Sequence, residues 1–141
     1  MADSKNQLIT VATTVNAPID KVWNYWTEPQ HILHWNNASP DWHTPKSEND
    51  LREGGKFSST MAARDGSMSF DFGGTYTKVE LHKKIEYTLE DDRKVKINFT
   101  EEGQSTKIVE DFEAENQNSI ELQKSGWQAI IDNFKKYTEE N

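Results

Sequence analysis

Residues 118–139 read NSIELQKSGWQAIIDNFKKYTE, and the spacing of their apolar side chains decides the fold. Ile120, Trp127, Ile130, Ile131, Phe134 and Tyr137 recur at intervals of three, four and seven, which places them on one stripe of an α-helix. Asn118 or Ser119 can cap its start, with Glu121 and Gln123 close behind. At 1.5 Å per residue the segment makes a rod of about 33 Å. Gly126, inside it, costs about 1 kcal/mol against alanine, and its expected use is to let a sheet come close.

Upstream of this rod the period is two. Phe57, Ser59, Met61 and Ala63 share one face, Asp65-Gly66 reads as a hairpin turn, and Met68, Phe70 and Phe72 face one way after it. Gly73-Gly74 predicts a bulge or sharp bend, since Tyr76, Val79 and Leu81 beyond it no longer keep one parity. Ile85, Tyr87 and Leu89 alternate, then Val95, Ile97 and Phe99, then Thr106, Ile108, Glu110 and Phe112, with turns at Glu90–Arg93 and Glu102-Gly103. The chain opens on QLITVATTVN, residues 7–16, a β-branched strand with Ile9, Val11, Thr13 and Val15 on one face. Pro18 and Asp20 suit a helix start, and Ile19, Val22, Trp23 and Trp26 follow at helical spacing over 18–27. Pro29 opens a second short helix carrying Ile32, Leu33 and Trp35. Residues 36–50, with Pro40, Trp42 and Pro45, read as a long polar loop over the rest.

The order is therefore strand, two short helices, about six strands, long helix. A sheet with one apolar face needs cover, and only the C-terminal rod is large enough to provide it. The expected architecture is α+β: a curved antiparallel sheet of six to seven strands around a long C-terminal helix, over one domain spanning 1–141. A sheet bent around one helix leaves volume that side chains need not fill.

Composition bounds the function. The chain has 141 residues, enough for one core. Only 33% are hydrophobic, but 11% are aromatic and five are tryptophan, so the apolar content sits in a few large side chains. The formal net charge of −8 argues against nucleic acid and against anionic membranes as partners. The absence of cysteine excludes disulfides, thiol nucleophiles and thiolate metal sites. MADSKNQLIT has no apolar core of a secretory signal, and no apolar run approaches a membrane span. The expected location is cytoplasmic.

Several pieces together carry a family resemblance. They are the strand running into Ala17-Pro18, Val22-Trp23, Pro29 and Trp35, then Leu51-Arg52-Glu53-Gly54-Gly55-Lys56-Phe57, Asp65-Gly66 and the Gly74–Tyr76 region. Ile85-Glu86-Tyr87 and Gly126-Trp127 leading to Ile131 and Phe134 complete the set. In this order and spacing the chain resembles the activator of heat-shock-protein-90 ATPase homologue-like family within the START-like (SRPBCC) superfamily. The resemblance implies a helix-grip fold with a cavity between sheet and long helix. Superfamily relatives bind lipids, sterols, hormones or polyketides, and a few are enzymes. The namesake carries such a domain beside another that contacts the chaperone, and no such extra domain is expected here.

The expected ligand-binding set is Trp35, Phe57, Met61, Met68, Phe70, Phe72, Tyr76, Tyr87, Phe99, Glu110, Phe112, Trp127, Ile131 and Phe134. For any one of these a place in a packed core is the simpler role. As a set they suit a cavity for a small apolar ligand, with methionine adapting to its contents. Glu110 stands between Ile108 and Phe112 on the inward face, where a lone carboxylate is expensive. It is either a polar anchor of raised pKa, with Arg64 or Lys96 as partner, or the register is slipped and the side chain exposed. The second carries the greater weight here, because sequence fixes strand register poorly. Trp42, His43 and the helix tryptophans form either a lid over the cavity mouth or a small satellite core.

The histidines give no metal pattern. His31 and His34 could share a helix face, with Asp41 or His43 as third ligand, but the spacing matches no known zinc site, and His82 stands apart. Nucleophile elbow, Walker loop and dinucleotide glycine motifs are all missing. The reading is a non-catalytic carrier or sensor without cofactor or metal. The alternatives are a protein-interaction module acting on a chaperone, and a small cavity enzyme using Glu110 or a histidine.

Overall fold

The computed structural model describes residues 7–37 and 39–141. Seven strands form one antiparallel sheet: β1 (Leu8–Val15), β2 (Trp42–Asn49), β3 (Lys56–Ala63), β4 (Ser69–Glu80), β5 (Lys84–Leu89), β6 (Lys94–Glu102) and β7 (Ser105–Glu113). Their order across the sheet is β1-β7-β6-β5-β4-β3-β2. The sheet curls into a half-barrel. Helices α1 (Ile19–Thr27) and α2 (Pro29–Trp35) carry the chain from one sheet edge, β1, to the other, β2. The long helix α3 (Ile120–Glu140) follows β7. This is the α+β helix-grip architecture expected from the order of periodicities.

Local chemistry sets the element ends. Pro18 is the residue just before α1, and Asp20 sits in the first turn, favourable at the positive end of a helix. Ser119 caps α3 by accepting a hydrogen bond from the Leu122 N–H at 3.1 Å. Gln123 locks the β7–α3 connection: it accepts from the Glu115 N–H at 2.9 Å and donates to the carbonyls of Glu115 and Asn118.

Inward positions of β1, β7, β6 and β5 alternate as expected and bury Val11, Val15, Ile85, Ile97, Ile108 and Phe112. Ile131 and Phe134 of α3 are fully buried against this half. The helix runs along β1 and against α1 and α2, so it covers one side of the half-barrel more fully than the other.

Four expectations need correction. Residues 42–49 are a strand, not part of a loop. They pair with β3 at the sheet edge, with a register shift between His43 and Lys46 that accommodates Pro45. The irregularity of β4 lies between Tyr76 and Lys78, not at Gly73-Gly74. That shift is why Tyr76 and Val79 both point inward. The two glycines are instead points of close strand approach: a Cβ on Gly73 would press on the Phe57 carbonyl and one on Gly74 on the Thr88 carbonyl. Gly126 permits no close approach, since a Cβ there would meet nothing within 4 Å. Met68 lies in the β3–β4 turn and is 60% exposed, so it does not face the interior.

Candidate functional site

Beneath the earlier turns of α3 the half-barrel encloses a cavity of about 300 Å³. Its sheet wall comes from Phe57, Ser59 and Met61 of β3, Phe70, Phe72 and Tyr76 of β4, Ile85 and Tyr87 of β5, and Glu110 of β7. Trp26, Ile32, Trp35 and Asn36 close one end, Gln123, Trp127 and Ile130 of α3 form the roof, and Arg93 and Glu115 reach it from connecting turns.

The wall is an aromatic lattice. Phe57 meets Tyr87 edge-on at 4.7 Å, Tyr76 at 5.2 Å and Phe72 at 6.2 Å between ring centroids. Trp127 is edge-on to Phe72 at 6.1 Å. Behind Trp127 lies Phe112, stacked at 3.8 Å and 8°. Trp26 and Trp35 lean on each other at 4.9 Å, with Phe134 edge-on beneath both. Such pairs fix ring orientations beyond what area burial alone would do.

The expected set thus divides. Trp35, Phe57, Met61, Phe70, Phe72, Tyr76, Tyr87, Glu110 and Trp127 line the cavity. Phe112 and Phe134 form a second layer that holds the lining tryptophans; Phe99 packs edge-on to Trp23 and Trp26, and Ile131 is buried core. None of these four lines the hollow; Phe112 and Phe134 lie behind the lining tryptophans they pack against. Met68 is outside it. Phe70 is half exposed at the rim, where Trp42 meets it at 5.8 Å. Trp26, expected among the tryptophans of a lid or satellite core, also lines the cavity; the sequence reading missed Ile32 and Ile130, although each stands on an apolar helix stripe. It also missed Ile85 on its alternating strand. Asn36, Ser59, Arg93, Glu115 and Gln123 carry no signal of that kind.

The polar groups differ in how well they are satisfied. The Tyr76 hydroxyl donates to Asn49 Oδ1 at 2.5 Å, Ser59 Oγ shares a hydrogen bond with Ser47 at 3.1 Å, and Thr44 donates to the Asn36 carbonyl. Glu110 is inward and buried at 5% exposure, paired in register with Val11 and Ile97. The slipped-register reading is therefore wrong. Burial, helped by the neighbouring charge of Asp111, pushes its carboxyl up to about 8. Neither basic residue suggested for it is a partner: Arg64 donates to the Pro40 carbonyl and Lys96 is exposed. Burial also holds the Tyr87 phenol well above its usual range, with the charges of Glu110 and Tyr76 adding to it and Arg93 opposing. Arg93 is held by Asp91 at 2.7 Å and by the Glu113 carbonyl.

The histidines sit away from the cavity lining. His31 Nδ1 is 2.7 Å from the Tyr137 hydroxyl, and the His34 ring stacks on Tyr137. Among the described residues no cluster of three or more His, Asp or Glu side chains could hold a metal ion, and no helix is long and apolar enough to cross a membrane.

The sequence profile of the family described as "Activator of Hsp90 ATPase homolog 1-like protein" matches residues 16–139. The chain belongs to this family. An AHSA1-like protein from Aeromonas hydrophila, solved in solution, is 42% identical over 95% of this chain and 93% of its own, with a TM-score of 0.89. A Cytophaga hutchinsonii protein, also solved in solution, is 59% identical over 94% of this chain and 92% of its own, with a TM-score of 0.82. A Chromobacterium violaceum crystal structure shares the fold at 20% identity, with 96% and 99% coverage and a TM-score of 0.85. No functionally curated protein matches the sequence. The family assignment agrees with the resemblance carried by the sequence, and AHSA1-like proteins share this helix-grip arrangement.

Proposed function

We propose that this AHSA1-like chain binds a small apolar molecule in the cavity and acts as a carrier or sensor rather than a catalyst. The observation that supports it is the unfilled hollow of about 300 Å³ walled by Phe57, Phe72 and Trp127. That is the lower end of the size range of small-molecule sites, and aromatic walls with few polar groups are their usual lining. The family often binds hydrophobic ligands. Each Å² of apolar surface removed from water contributes roughly 25 cal/mol before ordering costs. A cytoplasmic location belongs to the same proposal.

The test uses N-phenyl-1-naphthylamine, which brightens on leaving water. It brightens with the parent protein, and Phe72→Ala or Trp127→Ala weakens its binding several-fold. Absence of binding by the parent, or equal binding by both variants, rejects the placement. The family's name favours a second reading, a chaperone partner. A pull-down on the host chaperone with its ATPase measured decides it: stimulation supports that reading, and neither capture nor stimulation ends it.

A further inference from the structure

Among the described residues, two buried polar side chains of the cavity lack a protein partner. Among the described residues no group hydrogen-bonds the Glu110 carboxyl or the Tyr87 hydroxyl, although both residues are more than nine-tenths buried and both line the hollow. Their neighbours are satisfied: Tyr76 has Asn49 and Ser59 has Ser47. Arg93, the cation at the cavity, is engaged by Asp91 and the Glu113 carbonyl. Both side chains border the hollow, so an occupant carrying the complementary group could pair with them there.

We propose that the cavity takes a planar, uncharged molecule bearing a carbonyl group, whose oxygen accepts hydrogen bonds from the Glu110 carboxyl and the Tyr87 hydroxyl. The inference rests on the reading of the cavity as a binding site and names the class of its ligand. Planarity follows from the walls, where Phe57, Phe72 and Trp127 offer flat faces and edges. Near neutral pH both polar groups carry protons and are donors, so an acceptor completes them without placing a charge in an apolar hollow. A neutral carboxylic acid and a phenol in an apolar pocket are a known physical recipe for holding a carbonyl oxygen.

The pH behaviour follows from the groups around Glu110. Tyr87 of β5 and Arg93 and Glu115 of the flanking turns line the same cavity, and Asp111 is next to it on β7; β1, β6 and α3 present Val11, Ile97, Gln123 and Trp127, which do not titrate. Tyr87 is held well above its usual range and Glu115 below its own. Of the groups with shifted titration, only Glu110 therefore changes state between pH 6.5 and pH 9.

The experiment is displacement of N-phenyl-1-naphthylamine by 9-fluorenone, by fluorene, which has the same rings without the carbonyl, and by 9-aminofluorene, which carries a cation instead. At pH 6.5 fluorenone binds about tenfold tighter than fluorene, and this advantage shrinks as pH rises through about 8. Glu110→Gln, whose amide still donates, keeps the advantage and loses the pH dependence. Glu110→Leu abolishes it and Tyr87→Phe reduces it; if the leucine variant does not fold, the parent's pH profile and Tyr87→Phe still decide. Equal affinity for fluorene and fluorenone, or preference for 9-aminofluorene, overturns the inference while the binding site stands. Failure of the parent to bind even N-phenyl-1-naphthylamine overturns both.

Discussion

In the part of the sheet made by β1, β7 and β6, the inward side chains Val11, Val15, Ile97, Ile108 and Phe112 are each at most 2% exposed. In β3 and the first half of β4 the inward side chains are Phe57, Ser59, Met61, Phe70 and Phe72, and of these only Ser59 is buried. Both halves show the same alternation of period two. They differ in what lies above them. Helix α3 runs beside β1 and presses Ile131 and Phe134 into the first half, while its earlier turns hold Trp127 and Ile130 half buried over the second. Alternation tells which side chains point inward; cover from another element decides whether they become core or cavity wall.

The comparison breaks most easily at Phe134. Phe134→Ala empties a fully buried site beneath Trp26 and Trp35, and it is expected to lower unfolding free energy by about 3–5 kcal/mol in urea titration. A loss below about 1 kcal/mol would mean that this half is as loosely packed as the other.

Glu110 lies on β7 between Val11 and Ile97 and still lines the cavity, and its effect depends on pH. Its carboxyl titrates near 8 in the folded chain, against about 4.3 in an unfolded one. Below the unfolded value both states are protonated and folding carries no penalty. As pH rises from there to about 8 the unfolded state ionises and the folded one does not, so stability falls, by a few kcal/mol in all. Glu110→Gln removes that slope and is the more stable protein at pH 8. Parallel stability profiles for parent and variant over pH 5–8 would contradict the burial argument.

A smaller effect belongs to Phe72 in the open half. Phe72→Ala removes a half-buried ring whose far side faces the hollow, so its expected cost is about 1 kcal/mol, well under that of Phe134→Ala. A loss as large as at Phe134 would erase the distinction. The smallest effect is at Gly126, where a Cβ meets nothing within 4 Å. Gly126→Ala stabilises α3 by up to about 1 kcal/mol, read as a small rise in Tm with probe binding unchanged.

The packed half was the legible one. Ile85, Tyr87 and Leu89, or Val95, Ile97 and Phe99, alternate so regularly that strand and buried face follow together, and the α3 stripe follows from its three-four spacing. Strand β2 was not legible. WHTPKSEN carries a proline and charges because an edge strand needs few buried contacts and tolerates a missing N–H, and those features read as loop. The extra residue between Tyr76 and Lys78 was visible only as broken parity, which the adjacent glycine pair drew to the wrong place. Glu110 shows the limit from the other side. Its parity gave the right face, but the expense of burying a carboxyl argued against it, since sequence does not show that the face opens on a hollow where the group keeps its proton.

The central claim is that α3 leaves one half of the half-barrel able to hold a guest. Side-chain NMR during addition of N-phenyl-1-naphthylamine tests it most directly. The account predicts saturable shifts at Met61, Phe72 and Trp127, with Ile108 and Phe134 unmoved. No shifts at all, or shifts centred on Ile108 and Phe134, would contradict it.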